Sequence, residues 1–169
     1  MPDPQPFERA LQVLAGTPAV LTTLVTISYQ NRASDSQVNA EAWSPRQILA
    51  HLLVVERDIN SPRLRRLAEN DGMAIEPTGE SLTSDADIES QLREWARERA
   101  SNLAWLRTLT PAARAHVSIH PRHGRITLDQ HVVEWAYHDL DHLRQMLGAL
   151  GADLYPHMGS WQTLYGQPG

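Results

Sequence analysis

Two histidines spaced four residues apart, His138 and His142, are the clearest candidates for chemistry in this sequence. They fall in residues 127–147, a run without Pro or Gly that is long enough for a helix of several turns. In a helix this spacing places both imidazoles on one face, where they can bind one divalent metal ion. The same spacing also occurs in helices whose histidines lie at the surface or hydrogen-bond to core neighbours. The spacing alone therefore leaves a metal site and a structural pair open.

The run around this pair carries the signals of a complete helix. Thr127 can act as the N-cap, Gln130 completes a capping box, and Gly148 is expected to end the helix. On a helical wheel, one arc of roughly 80° holds His131, Trp135, His138, His142 and Gln145. Asp139 and Asp141 lie beside the pair, and their wheel positions suit an outer shell or solvent better than direct binding of the same metal. Apolar neighbours predict that this face points into the protein.

Composition limits the possible classes of protein. A chain of 169 residues with 41% apolar and 21% charged residues is expected to form one globular domain, residues 1–169. The net charge of −5 offers no basic patch for nucleic acid. The absence of cysteine excludes disulfides, cysteine nucleophiles and cysteine zinc ligands. The polar N-terminus does not resemble a signal peptide, and no apolar run approaches a membrane span, so we expect a cytoplasmic protein.

Apolar periodicity and capping signals predict four core helices, at residues 18–29, 45–69, 85–109 and 128–147. The first is preceded by a helical stretch from Pro6, and the pattern does not decide between one kinked helix and two pieces separated before Pro18. The third has Ser84 as its expected cap, and its charged residues, Arg99 among them, are expected on a solvated, ion-paired face.

The second helix has the clearest start in the chain. Ser44 is the expected N-cap, Pro45 suits the first helical position, and Gln47 completes a capping box. Trp43, just before the cap, is expected to pack over the start of this helix rather than act on a substrate. His51 falls within the apolar stripe of the helix, so its ring is expected to face inward.

The remaining segments predict no further regular elements. Residues 31–42, 70–83 and 111–125 are expected to be loops, and the tail 148–169 is too rich in Gly and Pro for a long helix. His116, His120 and His123 could supply a second set of ligands, but nothing in their spacing fixes the rings on one side. With no strand pattern, the predicted class is all-α.

Two motifs resemble those of a known family. The segment WSPRQILAHL at residues 43–52, followed by Glu56, resembles the second-helix motif of the DinB-like (DinB/YfiT) superfamily. The segments GRITL at 124–128 and HDLDHLRQ at 138–145 resemble its fourth-helix motif. The likeness covers a core at about residues 11–147, and the C-terminal extension at 148–169 departs from the family pattern.

The resemblance implies a fold and a metal site. Members of that family are four-helix bundles with an up-down-down-up course and are often homodimers. They carry nickel or zinc on three side chains, which match His51, His138 and His142 here. Characterised relatives include transferases that use the low-molecular-weight thiols mycothiol or bacillithiol, a maleylpyruvate isomerase among them, and others are described as metal-dependent hydrolases.

The favoured expectation is a divalent-metal-dependent S-transferase that joins a low-molecular-weight thiol to a small-molecule substrate. A hydrolase at the same three-histidine site is the alternative. A third reading is a non-catalytic helical binding or stress-response module, in which the metal only ties helices together. Neither nucleic acid nor a membrane is an expected partner.

Overall fold

Four helical rods form a bundle in the computed structural model of the protein, which describes residues 5–30, 43–75 and 87–166. The first rod is α1 (Pro6–Gln30), and the second joins α2 (Pro45–Val54), a π-helical segment (Val55–Asn60) and α3 (Ser61–Glu69). The third rod is α4 (Ile88–Leu106). After a short helix, α5 (Pro111–Arg114), the fourth rod is α6 (Leu128–Leu154).

Two apolar clusters, one at each end of the bundle, fix the direction of the rods. One cluster combines the beginning of α1 and of α6 with the ends of the second and third rods, through Phe7, Leu14, Leu64, Leu67, Leu103, Leu106, Leu128 and Val132. The other combines the opposite ends, through Leu21, Val25, Ile48, Leu52, Ile88, Trp95, Leu143 and Met146. The first and fourth rods therefore run one way and the other two run the opposite way, which confirms the predicted up-down-down-up bundle.

The first rod is one continuous helix, which resolves the choice that the sequence left open. Pro18 lies inside α1 and has no N–H to donate to the carbonyl of Leu14, four residues earlier. The Leu14 carbonyl instead accepts hydrogen bonds from Thr17 Oγ1 at 3.2 Å and from Arg99 Nη1 at 3.1 Å. These two donors replace the lost backbone bond and let the helix pass through the proline.

By length and composition alone, α1 could cross a membrane, since it has 25 residues and a mean hydropathy of 1.6 over its most apolar stretch. The expectation that no apolar run approaches a membrane span was therefore wrong. A core helix of a bundle meets the same criterion, and Leu14, Leu21 and Val25 are buried against the other rods. This packing places α1 in the bundle core.

The second rod starts as predicted but is not α-helical throughout. The Ser44 hydroxyl accepts a hydrogen bond from the Gln47 backbone N–H at 3.4 Å, and the Gln47 side chain accepts one from the Ser44 N–H at 2.9 Å. The π-helical segment then interrupts the α-helix and ends just before Pro62. Because a π turn takes about one residue more than an α turn, the segment rotates the faces of α2 and α3 relative to each other.

A buried ionic network lies between the rods, centred on Arg99, whose side chain is 1% exposed. Its guanidinium binds Glu56 at 2.8 Å and Asp139 at 2.6 Å, and Asn102 donates to Glu56 at 2.9 Å. The guanidinium also lies over the ring of Trp95, 4.6 Å from its centroid. The prediction that Arg99 belongs to a solvated face was wrong, because α4 turns this one arginine inward.

The third rod begins at Ile88, with Asp87 as N-cap. The Asp87 carboxylate accepts a hydrogen bond from the Ser90 N–H at 2.9 Å. The predicted start at residue 85 and the predicted cap Ser84 lie outside the described residues.

A small sheet packs beside the bundle, where the sequence predicted loops. Its strands β1 (Met73–Ala74), β2 (Val117–His120) and β3 (Gly124–Thr127) lie in that order, with β1 parallel and β3 antiparallel to β2. Strands of two to four residues are too short to give a detectable alternation. The sheet is anchored to α6, because Ser118 Oγ lies 2.8 Å from Nε2 of the buried His131.

The end of α6 also differs from the prediction. The helix does not stop at Gly148 but continues to Leu154, and a 3-10 segment (Tyr155–Leu164) follows. A glycine inside a helix costs only about 1 kcal/mol. Met146 and Ala149 are buried on either side of Gly148, and their packing offsets that cost.

Replacing Arg99 with Met is expected to lower the free energy of unfolding by about 3–5 kcal/mol, because two buried carboxylates lose their counter-charge. The matched control is Arg97→Met, two residues away on α4, where the side chain is 75% exposed. That change should cost about 0.5 kcal/mol or less. Urea unfolding followed by circular dichroism measures both, and equal losses would contradict a stabilising role for the network.

Candidate metal centre

Three imidazoles from two rods converge at one point of the bundle. The Nε2 atom of His138 lies 3.1 Å from His51 Nε2 and 3.2 Å from His142 Nε2. Ligand atoms of all three rings lie within 4.8 Å of one another. The structure thus brings together the three histidines that the sequence singled out.

The helices that carry these rings explain the convergence. His51 lies on α2, whose start is fixed by the capping box at Ser44, and its side chain is buried. His138 and His142 lie one turn apart on α6, the first half-buried and the second buried. The apolar cluster that includes Leu52 and Leu143 packs the two helices against each other next to the rings.

The surroundings of His51 favour the neutral form of its ring. Burial, and secondarily the nearby His142, lowers the pKa of His51 to about 4. His51 is therefore neutral near pH 7, and a neutral ring has a lone pair to offer a metal ion.

A hydrogen-bonded chain on α6 fixes the orientation of one ring. His142 Nδ1 lies 3.1 Å from the side-chain oxygen of Gln145, whose amide donates to Asp141 at 3.0 Å. Since the amide oxygen accepts, His142 carries its proton on Nδ1, and the lone pair of its Nε2 faces His138. Asp141 therefore reaches His142 through Gln145, and the carboxylate of Asp139 turns away to Arg99. An outer-shell role for Asp141 around a metal stays a prediction.

Trp43 covers the site from the start of the second rod. Its ring stacks on His142 with an interplanar angle of 4° and a centroid distance of 5.6 Å, and it lies 4.6 Å from the His51 ring. It also packs against the apolar cluster of this end of the bundle, as predicted for a residue before the cap. Its contact with two of the three imidazoles was not predicted, because the sequence does not show which way an N′ side chain turns.

The geometry of the three rings fits a divalent ion. Two ligands at about 2.0–2.1 Å from a tetrahedral zinc are about 3.3 Å apart, which is close to the separations observed here. Three neutral nitrogens suit zinc or nickel, and a set of three leaves a coordination position open. Among the described residues, no other group of three His or acidic side chains brings its donor atoms together in this way.

The other histidines of the sequence have separate environments. His116 Nδ1 lies 3.1 Å from the Leu67 carbonyl, and His131 contacts Ser118. The rings of His120 and His123 lie 4.5 Å apart on the β2–β3 hairpin, where His120 Nδ1 accepts backbone hydrogen bonds. The second ligand set considered from the sequence does not join the three converging rings.

Comparison with solved structures supports the same fold. YfiT from Bacillus subtilis, described as a probable metal-dependent hydrolase with an unusual four-helix bundle topology, matches with a TM-score of 0.75 and 24% identity over 90% of this chain and 87% of its own. TT2238, described as a four-helix bundle protein, matches with a TM-score of 0.62 and 23% identity over 83% of this chain and 98% of its own. At these identities the likeness shows the fold.

Comparison with protein families is more specific. No curated protein matches the chain. The family model of the DinB superfamily matches residues 7–146, which include most of each of the four rods and all three converging histidines. The chain therefore belongs to the DinB superfamily.

Proposed function

We propose that the protein is an enzyme that acts on a small molecule with the help of one divalent metal ion, zinc or nickel, held by His51, His138 and His142. The observation that supports this proposal is the convergence of the three Nε2 atoms. The Nε2 atoms of His51 and His142 lie 3.1 and 3.2 Å from that of His138. A bound ion with an open position would lower the pKa of a water or thiol, or polarise a carbonyl.

The protein's own residues prepare the site for this chemistry. Burial of His51 keeps its ring neutral, and Gln145 holds the His142 tautomer that presents Nε2. Trp43 shields one side of the rings from water. Because all three ligands are neutral, the ion would keep its full positive charge and act as a strong Lewis acid.

The favoured reaction is transfer of a low-molecular-weight thiol, such as bacillithiol or mycothiol, to an electrophilic substrate. The family resemblance of the two histidine motifs supports it. The second candidate is metal-dependent hydrolysis at the same site, and the description of YfiT supports this one. Both reactions need a nucleophile that loses a proton at the site, so the same ligand set serves either.

We also propose that the protein forms a homodimer. The outer side of α6 carries a row of exposed apolar side chains: Val133 is 37% exposed, Tyr137 70% and Leu140 47%. Such rows are typical of interfaces.

Light scattering should return the mass of two chains, and Tyr137→Asp should shift the measured mass towards that of one chain. A monomer mass for the parent at high protein concentration would contradict the dimer.

Metal binding tests the ligand set. The parent should take up one equivalent of zinc or nickel per chain, and His142→Ala should lower the affinity by more than the roughly 10–100-fold that loss of an outer-shell partner costs. The control is His157→Ala, because His157 is exposed in the C-terminal 3-10 segment. Elemental analysis and competition with a chromophoric chelator measure both, and equal affinities for the two variants would refute the assignment.

Turnover distinguishes the two reactions. Zinc-loaded or nickel-loaded protein should accelerate conjugation of bacillithiol to 1-chloro-2,4-dinitrobenzene, and His142→Ala should not. Faster cleavage of 4-nitrophenyl acetate without any thiol would favour the hydrolase instead. If the metal binds and neither probe is turned over, the non-catalytic reading, in which the metal ties two rods together, replaces both.

A further inference from the structure

Four carboxylates lie on or near the turns of the bundle that carry the three histidines, and three of them are already engaged. Glu56 and Asp139 are buried and bound to Arg99. Asp141 accepts hydrogen bonds from Arg144 and Gln145. The fourth, Glu134, makes no hydrogen bond or ion pair to any residue in the described part of the chain, and it is open to solvent.

The register of α6 places Glu134 beside the centre. Glu134, His138 and His142 follow one another at intervals of four residues, so they lie along one side of the helix. Helical side chains lean towards the N-terminus, and each covers the turn before its own. We therefore expect the ring of His138 to extend towards the turn that carries Glu134.

A cation faces Glu134 from the second rod. Arg63 lies on α3, and its positive charge interacts with Glu134, although no ion pair forms between them. Arg63 is twelve residues after His51, and in an uninterrupted α-helix it would point about 120° away from it. The longer turns of the π-helical segment reduce this angle.

These surroundings suit a group that accepts and returns protons. Partial burial of the Glu134 side chain raises its pKa, the charge of Arg63 opposes the rise, and the charge of Asp139 adds to it. A carboxylate with a raised pKa is a better base near neutral pH than an ordinary one. His131 is not an alternative acceptor, since its Nε2 contacts Ser118 and burial lowers its pKa to about 4.

We propose that Glu134 is the catalytic proton acceptor of this site, an inference that rests on the proposed function. The O–H or S–H bond of the attacking water or thiol breaks, and its proton passes to the Glu134 carboxylate. The electron pair left on oxygen or sulfur forms the bond to the electrophilic carbon. The bond to the leaving group breaks with its electron pair, and a leaving group that needs a proton takes it from the Glu134 carboxylic acid. When the leaving group takes this proton, Glu134 is again a carboxylate at the end of the reaction. When the leaving group needs no proton, Glu134 releases the proton to solvent.

Glu134→Gln tests the proposal, with Asp153→Asn as the matched control. Asp153 is an exposed carboxylate on the same helix, near its other end, so both variants remove one negative charge from α6. Both should bind zinc with the parent's stoichiometry and affinity. With whichever of the two probes the parent turns over, Glu134→Gln should lose about 10²–10⁴-fold in rate, and Asp153→Asn should stay within about twofold.

A second readout does not depend on turnover. In nickel-loaded parent protein, the paramagnetic ion should broaden the side-chain carboxyl ¹³C resonance of Glu134 and leave that of Asp153 sharp. A Glu134→Gln variant that turns over as fast as the parent, or a Glu134 resonance as sharp as that of Asp153, overturns the inference and leaves the proposed function standing. A parent protein that binds no metal, or turns over neither probe, overturns the proposed function and this inference with it.

Discussion

The buried guanidinium of Arg99 is the contact on which the rest of the bundle depends. It reaches the Leu14 carbonyl on the first rod, Glu56 on the second and Asp139 on the fourth, while itself belonging to the third. Removing a charge from water costs several kcal/mol, and the cost is offset only when every donor is satisfied. The network therefore holds the four rods in one relative position, since sliding any of them would leave a buried charge without its partner.

The same network sets the orientation of the two rods that carry the histidines. Asp139 follows His138 directly on α6, so the bond of Asp139 to Arg99 turns His138 to the other side, towards α2. Glu56 lies in the π-helical segment, five residues after His51. Glu56 binds Arg99 while His51 contacts His138 on α6. The polar interior and the three-histidine centre thus occupy adjacent sides of the same two rods.

Much of this arrangement follows from local sequence signals. The capping boxes at Ser44 and Thr127 gave the starts of two helices, and both are formed as predicted. The spacing of His138 and His142 fixed their common face, because a helix has a constant period. The convergence of His51 with them came from the resemblance to a family, since a contact between distant segments is not encoded in local periodicity.

The features that the sequence did not reveal depend on tertiary contacts. Arg99 resembles Arg93 and Arg97 in its local pattern, and only the packing of α4 turns it inward. The π-helical segment and the passage of α6 through Gly148 are likewise decided by neighbours rather than by propensity. Strand β1 pairs with β2, which is far from it in the chain, and all three strands are too short to show an alternating pattern. The sequence therefore predicted loops at these residues.

X-ray absorption spectroscopy of the zinc-loaded protein tests the central claim, that His51, His138 and His142 together hold one ion and leave a position open. We expect three imidazole nitrogens at about 2.0–2.1 Å and at least one further light atom that is not a protein ligand. A spectrum with one or two imidazoles, or with a complete set of protein ligands around the zinc, would contradict it.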